Sequence, residues 1–108
     1  MPHPDPSLPV ELRYGGLSLQ WSELPSGVHL ELQGSAGLAE ADAIHFAMVM
    51  ASARRPARLV IETRRLGRLS AVAAGHINRG RRALERTGTS TQVLSDPQGA
   101  GTYLGTGR

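Results

Sequence analysis

The sequence predicts an α/β domain. Three features point to it: an apolar, partly β-branched block, Leu59-Val60-Ile61, bounded by polar residues; a helix-period segment soon after it; and alternating apolar and polar residues ahead of both. A short block of this kind reads as an inner strand, and the order strand, short loop, helix implies parallel layering. Function in such layers concentrates at the C-terminal edge of the strands. With 108 residues the chain has length for one domain, which can bury a core without staples.

Residues 1–9 hold four of the seven prolines, which lack the amide donor that strands and helices need, so they are expected to be a disordered leader. A single domain is expected over residues 10–95. Val10-Glu11-Leu12-Arg13-Tyr14 alternates, Gly15-Gly16 turns the chain, and Leu17 to Leu24 alternates again, as half-buried strands do. Pro25-Ser26-Gly27 is a second turn, and Val28 to Gln33 returns as the antiparallel partner, with Val28, Leu30 and Leu32 facing the core. From Leu38 to Ala53 turn residues vanish, and Ala41, Ile44, Phe46, Ala47, Met48 and Ala51 give a broad apolar helical surface. Arg54 and Arg55 suit its last turn, and Pro56 stops it.

The strand Ala57–Thr63 follows, then an Arg-rich loop, Arg64 to Ser70. In the second helix Ala73, Ile77, Gly80 and Leu84 share a core face, while Arg79, Arg82 and Arg86 form a guanidinium ridge on another. Gly88 closes that helix, Thr89 to Leu94 is the last strand, and residues 96–108 read as a flexible Gly-rich tail.

All twelve basic residues are arginine, and ten lie between Arg54 and Arg86. Against two acids, Glu62 and Glu85, that segment carries +8; the remainder, with two arginines and seven acids, carries −5. Such segregation favours an anionic partner for one part of the molecule. Arginine without lysine, beside abundant Ala and Gly, is also what a GC-rich bacterial genome produces. No aromatic residue in the segment could stack on bases, and no nucleic-acid-binding motif is present. A protein partner with an acidic patch therefore fits better than nucleic acid.

No cysteine is present, which removes disulfides, thiolate metal sites and thiol nucleophiles and is compatible with a reducing compartment. The N-terminus lacks a secretory pattern and no long apolar run occurs, so a cytoplasmic protein without membrane insertion is expected. His3, His29, His45 and His76 have no metal-site spacing and read as isolated. The glycines from Gly99 to Gly107 open no helix and make no phosphate loop. Glu62 and Glu85 read as separate strand and helix-surface residues, and no nucleophile-base pair emerges. The expectation is no enzyme, no cofactor and no metal.

Two stretches resemble the anti-sigma-factor antagonist, or STAS, family. Gln33 to Ala41 fits without gaps its Gly-Glu-Leu-Asp-Leu-Ala-Thr-Ala entry into the first helix, with Gly34 on the glycine. Leu59-Val60-Ile61-Glu62 fits its Leu-Val-Leu-Asp strand, Leu69 the Ile before the switch motif, and Gly88 the glycine closing the second helix. The resemblance covers residues 17–95 and implies a four- to five-stranded mixed sheet with two main helices packed on one face. Where the family has Asp-Ser-Ser-Gly, with the first Ser the usual phosphoacceptor, this chain has Ser70-Ala71-Val72-Ala73, which puts Ala71 at the acceptor position. Gly37 replaces the acid ahead of the first helix, and the family's terminal helix has no counterpart beyond the Gly-rich tail.

The resemblance implies a non-enzymatic docking module for a regulatory protein such as an anti-sigma kinase, acting in transcription regulation without the usual serine switch, or an accessory subunit of a transporter ATPase. The docking residues would be Leu69, Ser70, Ala71, Val72 and Ala74, with Arg65, Arg68 and Arg79 giving charge complementarity. Ser70 can be an N-cap, or a phosphosite stabilised by the helix N-terminus and by Arg64, Arg65 and Arg68. The rival is an Arg-rich nucleic-acid binder using Arg79, Arg82 and Arg86.

Overall fold

A computed structural model describes residues 10–96. The leader at 1–9, with His3, and the tail beyond Asp96 lie outside the described residues. Five strands form one sheet in sequence order: β1 (Val10–Tyr14), β2 (Leu17–Leu24), β3 (Gly27–Ala36), β4 (Arg58–Leu69) and β5 (Ser90–Leu94). Helix α1 (Ala41–Arg54) joins β3 to β4, and α2 (Ala71–Arg86) joins β4 to β5.

The first three strands are antiparallel because two-residue turns connect them, and the last two are parallel because helices do. Gly15, at φ 58°, opens the β1–β2 turn in the positive-φ conformation that a type II′ hairpin asks of its first loop residue.

Period-2 alternation sends Leu17, Leu19, Val28, Leu30, Leu32, Leu59, Ile61 and Val93 into one buried layer. Ile44, Ala47, Met48 and Ala51 of α1 and Ala73, Ala74, Ile77 and Leu84 of α2 complete it. Among the described residues both helices thus cover the same face and no element covers the other. They approach closely at Gly80, where a Cβ would fall 2.6 Å from Met48 Cε and 2.8 Å from Met48 Cβ.

Four sequence expectations need correction. The Arg-rich segment after Thr63 is no loop, because β4 runs on to Leu69 beside β3. Between Glu31 and Gln33, and again between Gly34 and Ser35, β4 spends one residue more than β3. These bulges keep Leu66 and Leu69 inward, three apart, while Arg64, Arg65 and Arg68 stay outside. The three-residue spacing broke the strand period and hid the strand.

The first helix begins as a 3₁₀ turn, Leu38–Glu40, and becomes α-helical at Ala41; its C-cap is Arg55, in the left-handed conformation. Phe46 is exposed on α1 instead of joining the core, and all five residues of β1 are exposed where half-burial was expected.

Candidate functional site

At the C-terminal ends of β3 and β4 the chain turns twice within a small space. Ser70 N donates to Ala36 O at 2.8 Å, and Arg68 and Leu69 lie opposite Ser35 and Ala36, so the strand end fixes where α2 starts. Ser70 is the N-cap: its Oγ accepts from Ala73 N at 3.2 Å and satisfies an amide that the first turn leaves unpaired. In the neighbouring turn Glu40 Oε1 accepts from Gly37 N at 2.9 Å. Glu40 is the acid here, three residues after Gly37.

This edge exposes apolar surface. Leu38 is 73% exposed and Val72 47%, on two elements that touch each other, with Ala71 exposed beside Val72. Leu69 and Ala74, expected on the docking surface, are core residues. Leu69 is held inward by its pairing with Ala36, and Ala74 lies on the same side of α2 as Ile77. The sequence reading missed Leu38, whose signal was a large apolar residue beside the Gly37 breaker.

The arginines do not converge. Arg65 lies on the open sheet face, its Nε 3.9 Å from Glu31 Oε2. Arg68 is exposed at the strand end. Arg79 sits across the sheet in the helix layer, its Nη2 3.1 Å from His76 Nδ1. Arg82 and Arg86 are exposed along α2. Arg65 and Arg79 thus serve different surfaces.

Two groupings were invisible in the sequence. His45 of α1 and His76 of α2 bring their rings to 5.0 Å, beside Arg79. On the open face the register puts Glu31 opposite Glu62. Around them stand His29, with Nε2 4.0 Å from Glu62 Oε2, and Arg64, whose Nε donates to Glu62 Oε1 at 3.1 Å. The hydrogen bonds from Arg64 are the main cause holding the Glu62 carboxyl below the ordinary glutamate range. A carboxyl so held is ionised at neutral pH and ill-suited to donate a proton. The cluster reads as an ion-pair network, and no group of three or more potential metal ligands occurs among the described residues.

With this geometry in place, solved structures supply the comparison. An anti-sigma factor antagonist from Mycobacterium paratuberculosis superposes with a TM-score of 0.67 at 16% identity, over 73% of this chain and 67% of that one. The fold is STAS-like. A structure described as Mglu matches with a TM-score of 0.64 at 24% identity, and Mglu in its native form with 0.59 at 22%. The matches cover 73% and 72% of this chain but only 20% and 23% of those longer chains, so the likeness extends to one part of each. Neither the protein-family models nor the curated proteins give a match. Among the described residues no helix is long and apolar enough to cross a membrane.

Proposed function

We propose that the chain is a non-enzymatic docking module that binds a regulatory protein through the N-terminus of α2. The observation that carries this reading is exposed apolar surface on two touching elements, Leu38 on the turn before α1 and Val72, next to exposed Ala71, at the start of α2. The STAS-like fold supports it, since its neighbour is described as an anti-sigma factor antagonist. A partner of that kind, an anti-sigma kinase or another ATPase, would seat on Leu38, Ala71 and Val72, with Arg68 at the rim.

Leu69 and Ala74 support the surface from beneath. Ala71 offers no hydroxyl, so phosphorylation at that position cannot turn binding off.

The test is capture of partners from the native lysate with nuclease present, using wild-type protein and Ala71→Asp. Recovery of a kinase-like ATPase or sigma regulator that Ala71→Asp abolishes is the expected result. Recovery that disappears with nuclease, or that ignores Ala71→Asp, overturns the proposal.

A further inference from the structure

The open edge of β1 offers a second surface, away from the α2 N-terminus. Among the described residues β1 is the first strand of the sheet and pairs only with β2, leaving its other side without a strand partner. Its apolar residues sit opposite Trp21, Leu19 and Leu17, so they point to the helix-covered face. Neither helix reaches over them: Val10 is 65% exposed, Leu12 45% and Tyr14 47%. Next to them, Val10, Leu12, Trp21, Phe46 and Met50 line an apolar groove of about 300 Å³ between the strand edge and α1. Proteins commonly blunt such an edge with charged side chains, above all lysine, or with proline or a bulge, and β1 has no lysine, proline or bulge. Its two charges are one acid and one base, Glu11 and Arg13, placed symmetrically about Leu12, so they oppose a random partner but complement a second copy of the same strand.

We infer that β1 pairs antiparallel with β1 of a second copy of this chain, with the two-fold axis at Leu12. In that register Glu11 faces the partner's Arg13, Arg13 faces the partner's Glu11, and Val10 faces the partner's Tyr14. Every charged side chain of the strand then meets its opposite, and the apolar residues of both copies form one continuous row.

The main chain agrees with this register. In a two-residue hairpin the flanking pair, here Tyr14 and Leu17, exchanges its hydrogen bonds, and alternate residues then turn the same way. Val10, Leu12 and Tyr14 therefore direct their N–H and C=O groups to β2, and Glu11 and Arg13 direct theirs to the open edge. A two-fold at Leu12 makes Glu11 and the partner's Arg13 a hydrogen-bonded pair, as the outward groups require. A shift by one residue would pair an outward residue with an inward one. Ser18 Oγ, which donates to Glu11 Oε2 at 3.1 Å, and neighbouring Arg13 hold the Glu11 carboxyl below the ordinary range, so its charge is present at neutral pH. The opposite edge, β5, has no charged residue and no such complementarity.

Sedimentation of the full chain over a range of concentrations, with Glu11→Arg, Arg13→Glu and the double swap, tests this. Wild type should dimerise, and each single variant should dimerise roughly tenfold more weakly, since two attractive cross-strand pairs become repulsive. The double swap should restore dimerisation, and mixing the two single variants should give a heterodimer. The amides of Glu11 and Arg13 should gain exchange protection as concentration rises. A chain that stays monomeric at millimolar concentration, or a dimer indifferent to both single substitutions, overturns the inference.

Discussion

Replacing Ser70 with alanine removes the one side-chain acceptor that the first turn of α2 is seen to use, the Oγ that takes Ala73 N–H at 3.2 Å. Loss of an N-cap costs about 1 kcal/mol, within a span of roughly 0.5–2. In a domain of this size that lowers the melting temperature by about 4–8 °C per kcal/mol. Glycine at the same position should cost only a few tenths of a kcal/mol, because it leaves the cap backbone accessible to water. Aspartate should match or exceed serine: its carboxylate accepts the same bond, and a negative charge at a helix N-terminus adds about 0.3–1 kcal/mol. The stability order is therefore Asp at or above Ser, then Gly, then Ala. Urea denaturation read by far-UV circular dichroism measures it, and amide exchange at Ala73 should accelerate in Ser70→Ala and Ser70→Gly, which both lack the acceptor, but not in Ser70→Asp. If alanine matches serine, or aspartate falls with alanine, the capping assignment is wrong and the hydroxyl is left for another role.

Three further expectations follow from the packing. Gly34→Ala should cost about 2–4 kcal/mol, because Gly34 has φ 90° and its added Cβ would lie 2.3 Å from Gly16 O, combining left-handed strain with overpacking; urea midpoints check this. Leu69→Ala should cost about 2–5 kcal/mol as a core truncation, whereas Val72→Ala should stay within about 0.5 kcal/mol as a surface change, the contrast separating support from docking surface. Glu62→Gln should narrow the stability gap between neutral and acid pH. The folded-state Glu62 carboxyl titrates lower than in the unfolded chain, so its contribution is present above the unfolded value and is lost as pH falls through the folded one. Urea unfolding from pH 7 down to 3 should show the variant's deficit shrinking with acidification, and a deficit constant across that window refutes the assignment.

What the sequence determined by itself is what short stretches of chain encode. Alternation specified β2 and β3, the Pro25-Ser26-Gly27 turn specified their hairpin, and Ser70 ahead of a 3.6-residue pattern specified the start of α2. The order of these elements was enough to point to the STAS-like arrangement, because two-residue turns and helical crossovers restrict how the strands can be laid down. Only the tertiary structure decided the rest. Glu31 meets Glu62, and His45 meets His76, through pairings made far along the chain, which no local period carries. The family resemblance implied a surface place for Leu69 and Ala74, and a resemblance carries a position along the chain but not the direction a side chain takes; the bulges of β4 and its pairing with Ala36 turned Leu69 in, and Ala74 packs with the core. The exposure of β1 has the same origin, since alternation shows that Val10, Leu12 and Tyr14 share a face but not whether two helices are wide enough to cover it.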